Sequence, residues 1–406
     1  MSTDTVVIVG AGQAALALAE KLRTLQPDRP IIMIGEEPVL PYQRPPLSKK
    51  YMTGEMSLDR LLLRPAEWYA EHRIDCRRGV VARAIDRQAK TVSLSDGTVL
   101  AYDRLALTTG ATPRRLPAAM GGDHDGVYTL RSLADADAMA HEFAPGRRML
   151  VVGGGYIGLE AAAVAASRGL AVTLVEMAPR ILQRVAAEQT SGYFRELHRR
   201  NGVDVRENVS LAGLHGDDNG RVVRAEFADG SSLGTDFVLV GIGVAPDTVL
   251  AEAAGLEIVN GILAGPDCRT SDPDIFAAGD CAAFSYRGET VRLESVQNAI
   301  EQAEAAAHAI AGEAVAYRPV PWFWSDQYDV KLQIAGLNRG YDNVVTRPGT
   351  REHALSVWYF ARDAFIAVDA MNEPRAYMIG KRLLESGTPI TPAQAADAAF
   401  DLKSLL

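Results

Sequence analysis

Val6-Val7-Ile8-Val9-Gly10-Ala11-Gly12-Gln13-Ala14-Ala15 reads as an apolar strand, a glycine turn and the opening of a helix. That pattern is the dinucleotide-binding fingerprint of a Rossmann-like βαβ unit. Gly10 permits the tight turn, and Gly12 lets the backbone approach a pyrophosphate that a side chain would block. The third position, Ala15, is small enough for the helix to lie on the strand. Free N–H groups and the positive end of the helix then face the phosphates. An acid is expected about 20 residues further on, to bond ribose hydroxyls. Glu36 stands there, after Ile31-Ile32-Met33-Ile34-Gly35.

The pattern returns about 140 residues later as Leu150-Val151-Val152-Gly153-Gly154-Gly155-Tyr156-Ile157-Gly158. Its acid is Glu176, closing Ala171-Val172-Thr173-Leu174-Val175. Either copy alone is compatible with a glycine run that only packs a helix on a strand. Strand, turn, helix and acid in duplicate point to two bound dinucleotides, and so to electrons passing from one to the other.

With 406 residues, two or three domains are expected. Hydrophobic residues make up 48%, enough for substantial cores. Net charge is −9 and the pI is about 5.4, which argues against nucleic acid or an anionic membrane as partner. Cys76, Cys268 and Cys281 form no C-x-x-C pair, so neither a disulfide shuttle nor a cysteine metal site is expected, and no metal centre is indicated. Met1-Ser2-Thr3-Asp4 leads straight into a strand, so no secretory signal is expected. No apolar run reaches membrane-spanning length. Together these suit a reducing cytoplasm.

Further elements follow by pattern. Ala14 to Leu25 is helical, and Pro27 and Pro30 end it. Pro41-Tyr42-Gln43-Arg44-Pro45-Pro46-Leu47-Ser48-Lys49-Lys50 is stiffened by its prolines, with a helix expected from Leu47. Val80 to Asp86, Thr91 to Ser95 and Tyr102 to Gly110 read as strands, and Thr112 to Gly122 as a linker. Asp236 to Gly243 repeats the pattern of the Tyr102–Gly110 strand, and a further short strand ends at Gly279-Asp280. Ser295 to Ile310 is a helix stopped by Gly312. Leu332–Gly336, Val344–Arg347, Leu355–Ala361 and Ala364–Met371 read as a β-meander, followed by a helix from Pro374.

The order GxGxxA, PPLSK, TTG, GxGxxGxE, GIG, GDC and PWFWSDQ resembles the FAD-dependent, NADH-using ferredoxin reductases of bacterial cytochrome P450 and Rieske dioxygenase systems. These share the glutathione-reductase-like fold, and the resemblance spans essentially the whole chain. It implies an α/β protein with two Rossmann-like dinucleotide-binding domains, the NAD domain inserted in the FAD domain, plus a C-terminal α+β domain. The implied bounds are 1–113 and 245–319 for FAD, 114–244 for NADH, and 320–406 for the third domain. For FAD it implies Gly10, Gly12, Ala14 and Ala15 at the pyrophosphate, Glu36 at the ribose and backbone at Ala82 for the adenine. It also implies Arg131 and Lys49 at the flavin half, Asp280 at the ribityl chain, and Val296 with helix-start N–H groups at the flavin carbonyls. For NADH it implies Gly153, Gly155, Ile157 and Gly158 as cradle, Glu176 at the ribose, and Gly241 with Ile242 beside the nicotinamide.

The catalytic set implied by the resemblance is Lys49, Glu160, Tyr156 and Trp324. Lys49 and Glu160 would pair near the reacting flavin nitrogen, with a structural salt bridge as the plainer alternative. Tyr156 would cover the flavin face until nicotinamide displaces it; otherwise it is a packed aromatic. Trp324, in Trp322-Phe323-Trp324, would border the flavin where the electron acceptor docks; otherwise the three aromatics are core. Glu176 disfavours a 2′-phosphate and hence favours NADH, although Arg180 and Arg184 follow closely. Glu304 stands where several relatives carry arginine. Arg44, Arg287, Arg292, Lys331 and Arg339 would then supply positive surface for an acidic partner.

The activity implied is electron transfer from NADH through FAD to a [2Fe-2S] ferredoxin that feeds a cytochrome P450 or other oxygenase. Rubredoxin or a small molecule such as a quinone remains open as acceptor. An apoptosis-inducing-factor-like redox-sensing binding protein is the rival from another class.

Overall fold

The computed structural model describes residues 4–406, and the reading of Met1–Thr3 as lacking a signal falls outside them. The chain packs as two compact units. One comprises the chain to Gln43, Ser57–Thr112 and Val244–Pro319; the other comprises Arg44–Met56, Pro113–Gly243 and Val320–Leu406.

The first unit is built on a parallel sheet in the order Ile275–Ala277, Arg104–Leu107, Val6–Val9, Ile31–Gly35, Ile74–Arg78. Val6–Val9 is central and buried on both faces, as a crossover-connected strand requires. Helix Gln13–Leu25 lies beside helix Val296–Ile310. Their shared core is largely alanine, including Ala15, Ala19, Ala303, Ala306 and Ala307, which permits close approach of the two backbones. A small antiparallel sheet, Ala82–Asp86, Thr91–Leu94 and Val99–Ala101, belongs to this unit, as does a mixed one in which Ala282–Tyr286 pairs parallel with Ile262–Leu263 and antiparallel with Glu289–Val291.

The second unit repeats the plan. Its parallel sheet runs Asp204–Glu207, Ala171–Glu176, Arg148–Val152, Phe237–Val240, Val127–Tyr128, again with the fingerprint strand central. Helices Tyr156–Ser167 and Glu188–Arg200 belong to it. The hairpin Leu211–Gly216 and Val222–Phe227 pairs on with Ser232–Gly234.

The C-terminal sheet departs from the expected four-strand meander. It has five strands in the order Trp322–Gln327, Val330–Gly336, Ala364–Met371, Leu355–Ala361, Asn343–Pro348. Only the last three in this order form a meander. The aromatic run Trp322–Gln327 is itself a strand, paired with Val330–Gly336. Three consecutive aromatics, Trp322, Phe323 and Trp324, hide its period-2 alternation. The expected helix from Leu47 is also absent: Pro45–Ser48 makes one 3-10 turn, and Lys49 leaves it at φ −133°, ψ −115°. The expected linker 112–122 contains a short strand, Ala111–Pro113, and a 3-10 turn, Ala118–Met120.

Both fingerprint turns rest on backbone approach that excludes a side chain. Gly10 and Gly153 have φ of +109° and +107°, and a Cβ on either would lie 2.2 Å from Thr108 O or 2.5 Å from Gly241 O. Gly158, one turn into its helix, would carry a Cβ 2.3 Å from Gly153 O. Gly155 differs: a Cβ there meets no protein atom within 4 Å. Gly158→Ala is therefore expected to destabilise by about 1–3 kcal/mol through overpacking, despite better helix propensity. Gly155→Ala should stay within about 0.5 kcal/mol of the wild type. Thermal unfolding of the two variants side by side tests this, and equal midpoints would refute the close-approach account.

Candidate active site

The two helix N-termini after the glycine turns are built alike. Gly12 and Gly155 occupy the N-cap positions, neither helix has a side-chain cap, and neither carries an acid in its first turn. Helix starts normally need such groups to satisfy their leading N–H donors. A Cβ on Gly12 or on Gly155 would meet no protein atom within 4 Å. Protein packing thus gives no reason for glycine at either position, whereas a phosphate held against the backbone does. Ala14 and Ala15, in the first turn of the first helix, are buried. The residues present fit two dinucleotides.

The acids behave differently. Glu36 is exposed just past its strand. Glu176 accepts from Gly154 N at 2.7 Å and Ala178 N at 2.8 Å, so its carboxylate braces the glycine turn itself. Arg180 donates to the carbonyl of Ala186 and to Ser191, which directs its guanidinium into the protein. Arg184 lies with its guanidinium near Gly243. Ile157 and Ile242 are 39% and 37% exposed, apolar side chains flanking the second glycine turn; Met177, next to Glu176, is 73% exposed. The sequence reading did not single out Met177, though an apolar residue directly after the acid was visible in it.

On the first unit, Ala82 opens its strand beside a bulge and pairs with Leu94. Asp280 follows strand Ile275–Ala277, and its carbonyl accepts from Arg292 at 3.1 Å. Val296 begins its helix, with Ser295 Oγ accepting from Asn298 N at 3.1 Å. Gly279 N donates to the buried Gln302 Oε1 at 2.9 Å. Glu304 sits 3.7 Å from Lys21 in a half-exposed pair. Arg292 is not surface, contrary to expectation: its side chain is 9% exposed and pairs with Glu294 at 2.7 Å.

In the second unit Arg44 donates to the Arg131 carbonyl at 2.7 Å. Lys49 Nζ and Glu160 Oε2 are 2.8 Å apart, with side chains 19% and 7% exposed. Ser48 Oγ donates to the same oxygen at 2.8 Å, and Ser325 Oγ donates to Glu160 Oε1 at 2.7 Å. The Glu160 carboxylate thus draws on the proline-stiffened turn and on strand Trp322–Gln327. A buried ion pair is a poor stabiliser of a fold against an apolar replacement, which leaves a chemical reason for it to be sought.

Strand alternation sorts the aromatic motif. Trp322 and Trp324 lie on one face, ring centroids 5.7 Å apart. Phe323, Ser325 and Gln327 lie on the other. Phe323 meets Tyr156, with centroids 4.7 Å apart. The Tyr156 ring is partly exposed, but its hydroxyl is buried without a hydrogen-bond partner among the described residues. Burial, then the nearby Asp369 and Tyr359, push that hydroxyl well above its ordinary pKa. Asp369, wholly buried, is held up to about 6 by desolvation, while Thr190 Oγ1 at 2.7 Å and the Tyr359 hydroxyl donate to it. His198, on helix Glu188–Arg200, bonds Gln327 Oε1 at 2.8 Å. Ser48, Ser325, Gln327, His198 and Asp369 all escaped the sequence reading. The one available signal, for Ser325 and Gln327 alone, was the polar run Ser325-Asp326-Gln327 closing an aromatic strand.

All three cysteines are free, Cys268 and Cys281 buried. No cluster of metal-ligating side chains occurs among the described residues, and no helix among them is long and apolar enough to cross a membrane.

Two Rossmann-like sheets with uncapped glycine turns, and no redox dithiol, define a two-dinucleotide reductase. The chain belongs to the pyridine nucleotide-disulphide oxidoreductase family, whose model matches residues 4–303, and a reductase C-terminal model matches residues 322–406. It is 41% identical to the rhodocoxin reductase of Rhodococcus erythropolis, over 98% of this chain and 93% of that protein. It is 39% identical to the putidaredoxin reductase of Pseudomonas putida, over 100% and 97%. The crystal structure of a covalent putidaredoxin reductase–putidaredoxin complex superimposes with a TM-score of 0.96 at 39% identity, covering 100% of this chain and 98% of that one.

His198 generates a pH effect. Burial lowers its pKa from 6.5 to about 4, so between those values the unfolded chain binds more protons than the folded one. Its contribution to stability is lost as pH falls from about 6.5 to about 4. Asp369, raised from 3.8 to about 6, acts in the opposite sense, favouring the folded state as pH falls through that range. His198→Gln should therefore lose less thermal stability than the wild type between pH 7 and pH 5. Parallel pH profiles of the two melting temperatures would show that His198 takes up no proton on unfolding.

Proposed function

We propose that this protein is an NADH:ferredoxin oxidoreductase carrying FAD, working in the cytoplasm and delivering electrons to a [2Fe-2S] ferredoxin that supplies a cytochrome P450 or another oxygenase. The observation that carries this reading is the pair of glycine positions, Gly12 and Gly155, kept free of side chains that the protein itself would accommodate. Bound FAD supplies the conversion of a two-electron hydride donor into single electrons for the acceptor.

In this reading residues 1–113 and 245–319 hold FAD, 114–244 hold NADH, and 320–406 form the third domain. Gly10, Gly12, Ala14 and Ala15 cradle the FAD pyrophosphate and Glu36 binds its ribose. Ala82 offers backbone to the adenine, and Arg131 and Asp280 hold the flavin half and its ribityl chain. The N–H groups from Val296 onward stabilise negative charge. Gly153, Gly155, Ile157 and Gly158 cradle NADH. Glu176 faces its ribose, and Gly241 and Ile242 lie beside the nicotinamide.

Preference for NADH is supported by what the site lacks as much as by Glu176. Arg180, the first basic residue after that acid, is engaged with Ala186 and Ser191. Lys49 and Glu160 orient the reacting rings electrostatically, Tyr156 gives way to the nicotinamide, and Trp324 borders the exit toward the acceptor.

Three measurements test the reading. Reconstitution should yield a yellow protein bleached quickly by NADH and slowly by NADPH; a colourless protein that takes up no FAD would end the proposal. Lys49→Met should keep FAD but slow its reduction by NADH roughly 10- to 100-fold in stopped flow. Trp324→Ala should depress ferredoxin-dependent cytochrome c reduction more than dye reduction. Equal losses in the two assays would remove Trp324 from the exit path.

A further inference from the structure

Glu160 is the terminus of a buried hydrogen-bonded chain that runs through two further secondary-structure elements. From Ser325 Oγ, 2.7 Å from Glu160 Oε1, the chain passes to Gln327 Nε2 at 3.2 Å. From Gln327 Oε1 it passes to His198 Nε2 at 2.8 Å, and from His198 Nδ1 to the Tyr328 hydroxyl at 3.3 Å. Ser325 and His198 are 0% exposed and Gln327 1%.

The proton positions in this chain follow from one end. A carboxylate only accepts, so the Ser325 hydroxyl proton is committed to Glu160. Ser325 Oγ can then only accept from its other neighbour, which turns the Gln327 amide NH₂ toward it. The Gln327 carbonyl therefore faces His198, which must carry its proton on Nε2. Nδ1 is left as an acceptor, matched by the Tyr328 hydroxyl. With His198 neutral, every donor of the chain points toward Glu160. Burial, rather than the bonds themselves, keeps His198 a neutral imidazole, lowering its pKa to about 4. Aligned bonds in a low-dielectric interior polarise one another.

We propose that Ser325, Gln327 and His198 are positioning residues that fix the Glu160 carboxylate, and through it the Lys49 ammonium, in the orientation that hydride transfer needs. Without the chain, Glu160 Oε1 would lose its Ser325 partner, and the carboxylate would be held through Oε2 alone, by Ser48 and Lys49 of the proline turn. The chain is anchored on strand Trp322–Gln327 and helix Glu188–Arg200, so the site is set by rigid elements rather than by the turn that bears Lys49. A stabilising role is a weaker explanation, because well-packed apolar side chains would serve the fold as well.

This inference rests on the reductase reading, and a double-mutant cycle separates the two. The holoenzyme carrying Ser325→Ala is expected to retain FAD and its apparent affinity for NADH, while flavin reduction in stopped flow slows roughly 10-fold. Ser325→Thr, which keeps the hydroxyl, should restore most of the rate. In a Lys49→Met background Ser325→Ala should cost little more, because the group it positions is gone. His198→Leu, two links from Glu160, should show the same pattern with a smaller loss and serves if Ser325→Ala fails to fold. An unchanged rate in the single variants overturns the proposal, as does the same fold-loss with and without Lys49. A wild-type protein whose flavin NADH does not reduce would instead defeat the reductase reading itself.

Discussion

Backbone oxygens standing where side chains would be are the constraint on which this architecture depends. Thr108 O and Gly241 O press against Gly10 and Gly153, and Gly153 O against Gly158. These contacts bring the neighbouring strand, the turn and the helix within one van der Waals layer. The rest of each Rossmann-like unit follows. The fingerprint strand must be central and buried on both faces, and the helix must present small residues toward the turn. The uncapped helix end must then be open. The same geometry that makes the turn rigid leaves the leading N–H groups without protein partners, which suits an anion.

A second organising feature is the Glu160 carboxylate. It collects Ser48 and Lys49 from a turn stiffened by Pro45 and Pro46, and Ser325 from the C-terminal sheet. Charge of this kind inside a protein costs desolvation, and full satisfaction by donors is what makes it tolerable. The expected helix from Leu47 gives way to a single 3-10 turn for a related reason. Ser48 and Lys49 are drawn to a partner more than a hundred residues distant in sequence, and the backbone at Lys49 leaves helical values to reach it.

Local patterns were legible in the sequence and long-range polar contacts were not. The two glycine turns, their strands and helices, the helix Ser295–Ile310 and the Lys49–Glu160 pair could all be read, the last through family resemblance. The strand Trp322–Gln327 is not legible because three aromatics followed by three polar residues carry no period-2 pattern; the alternation shows only in burial, with Ser325 and Gln327 inside and Asp326 between them partly exposed. His198 and Asp369 could not be found at all. Their importance comes from burial among partners on other elements, and no spacing along the chain records that. Arg292 misled for the same reason: its charge suggested surface, while its position beside Glu294 and the Asp280 carbonyl is interior.

The state of the cysteines fixes how this protein stands toward oxidants and alkylating reagents. Cys268 and Cys281 are out of reach, and burial pushes the first thiol to about 12. Cys76 is partly exposed, but desolvation holds it at about 11, so little reactive thiolate is present near neutrality. Unlike a reductase that stores a reducing pair in a dithiol, this chain has no sulfur reservoir to fill or to poison. Peroxide and maleimide therefore find little reactive sulfur on it.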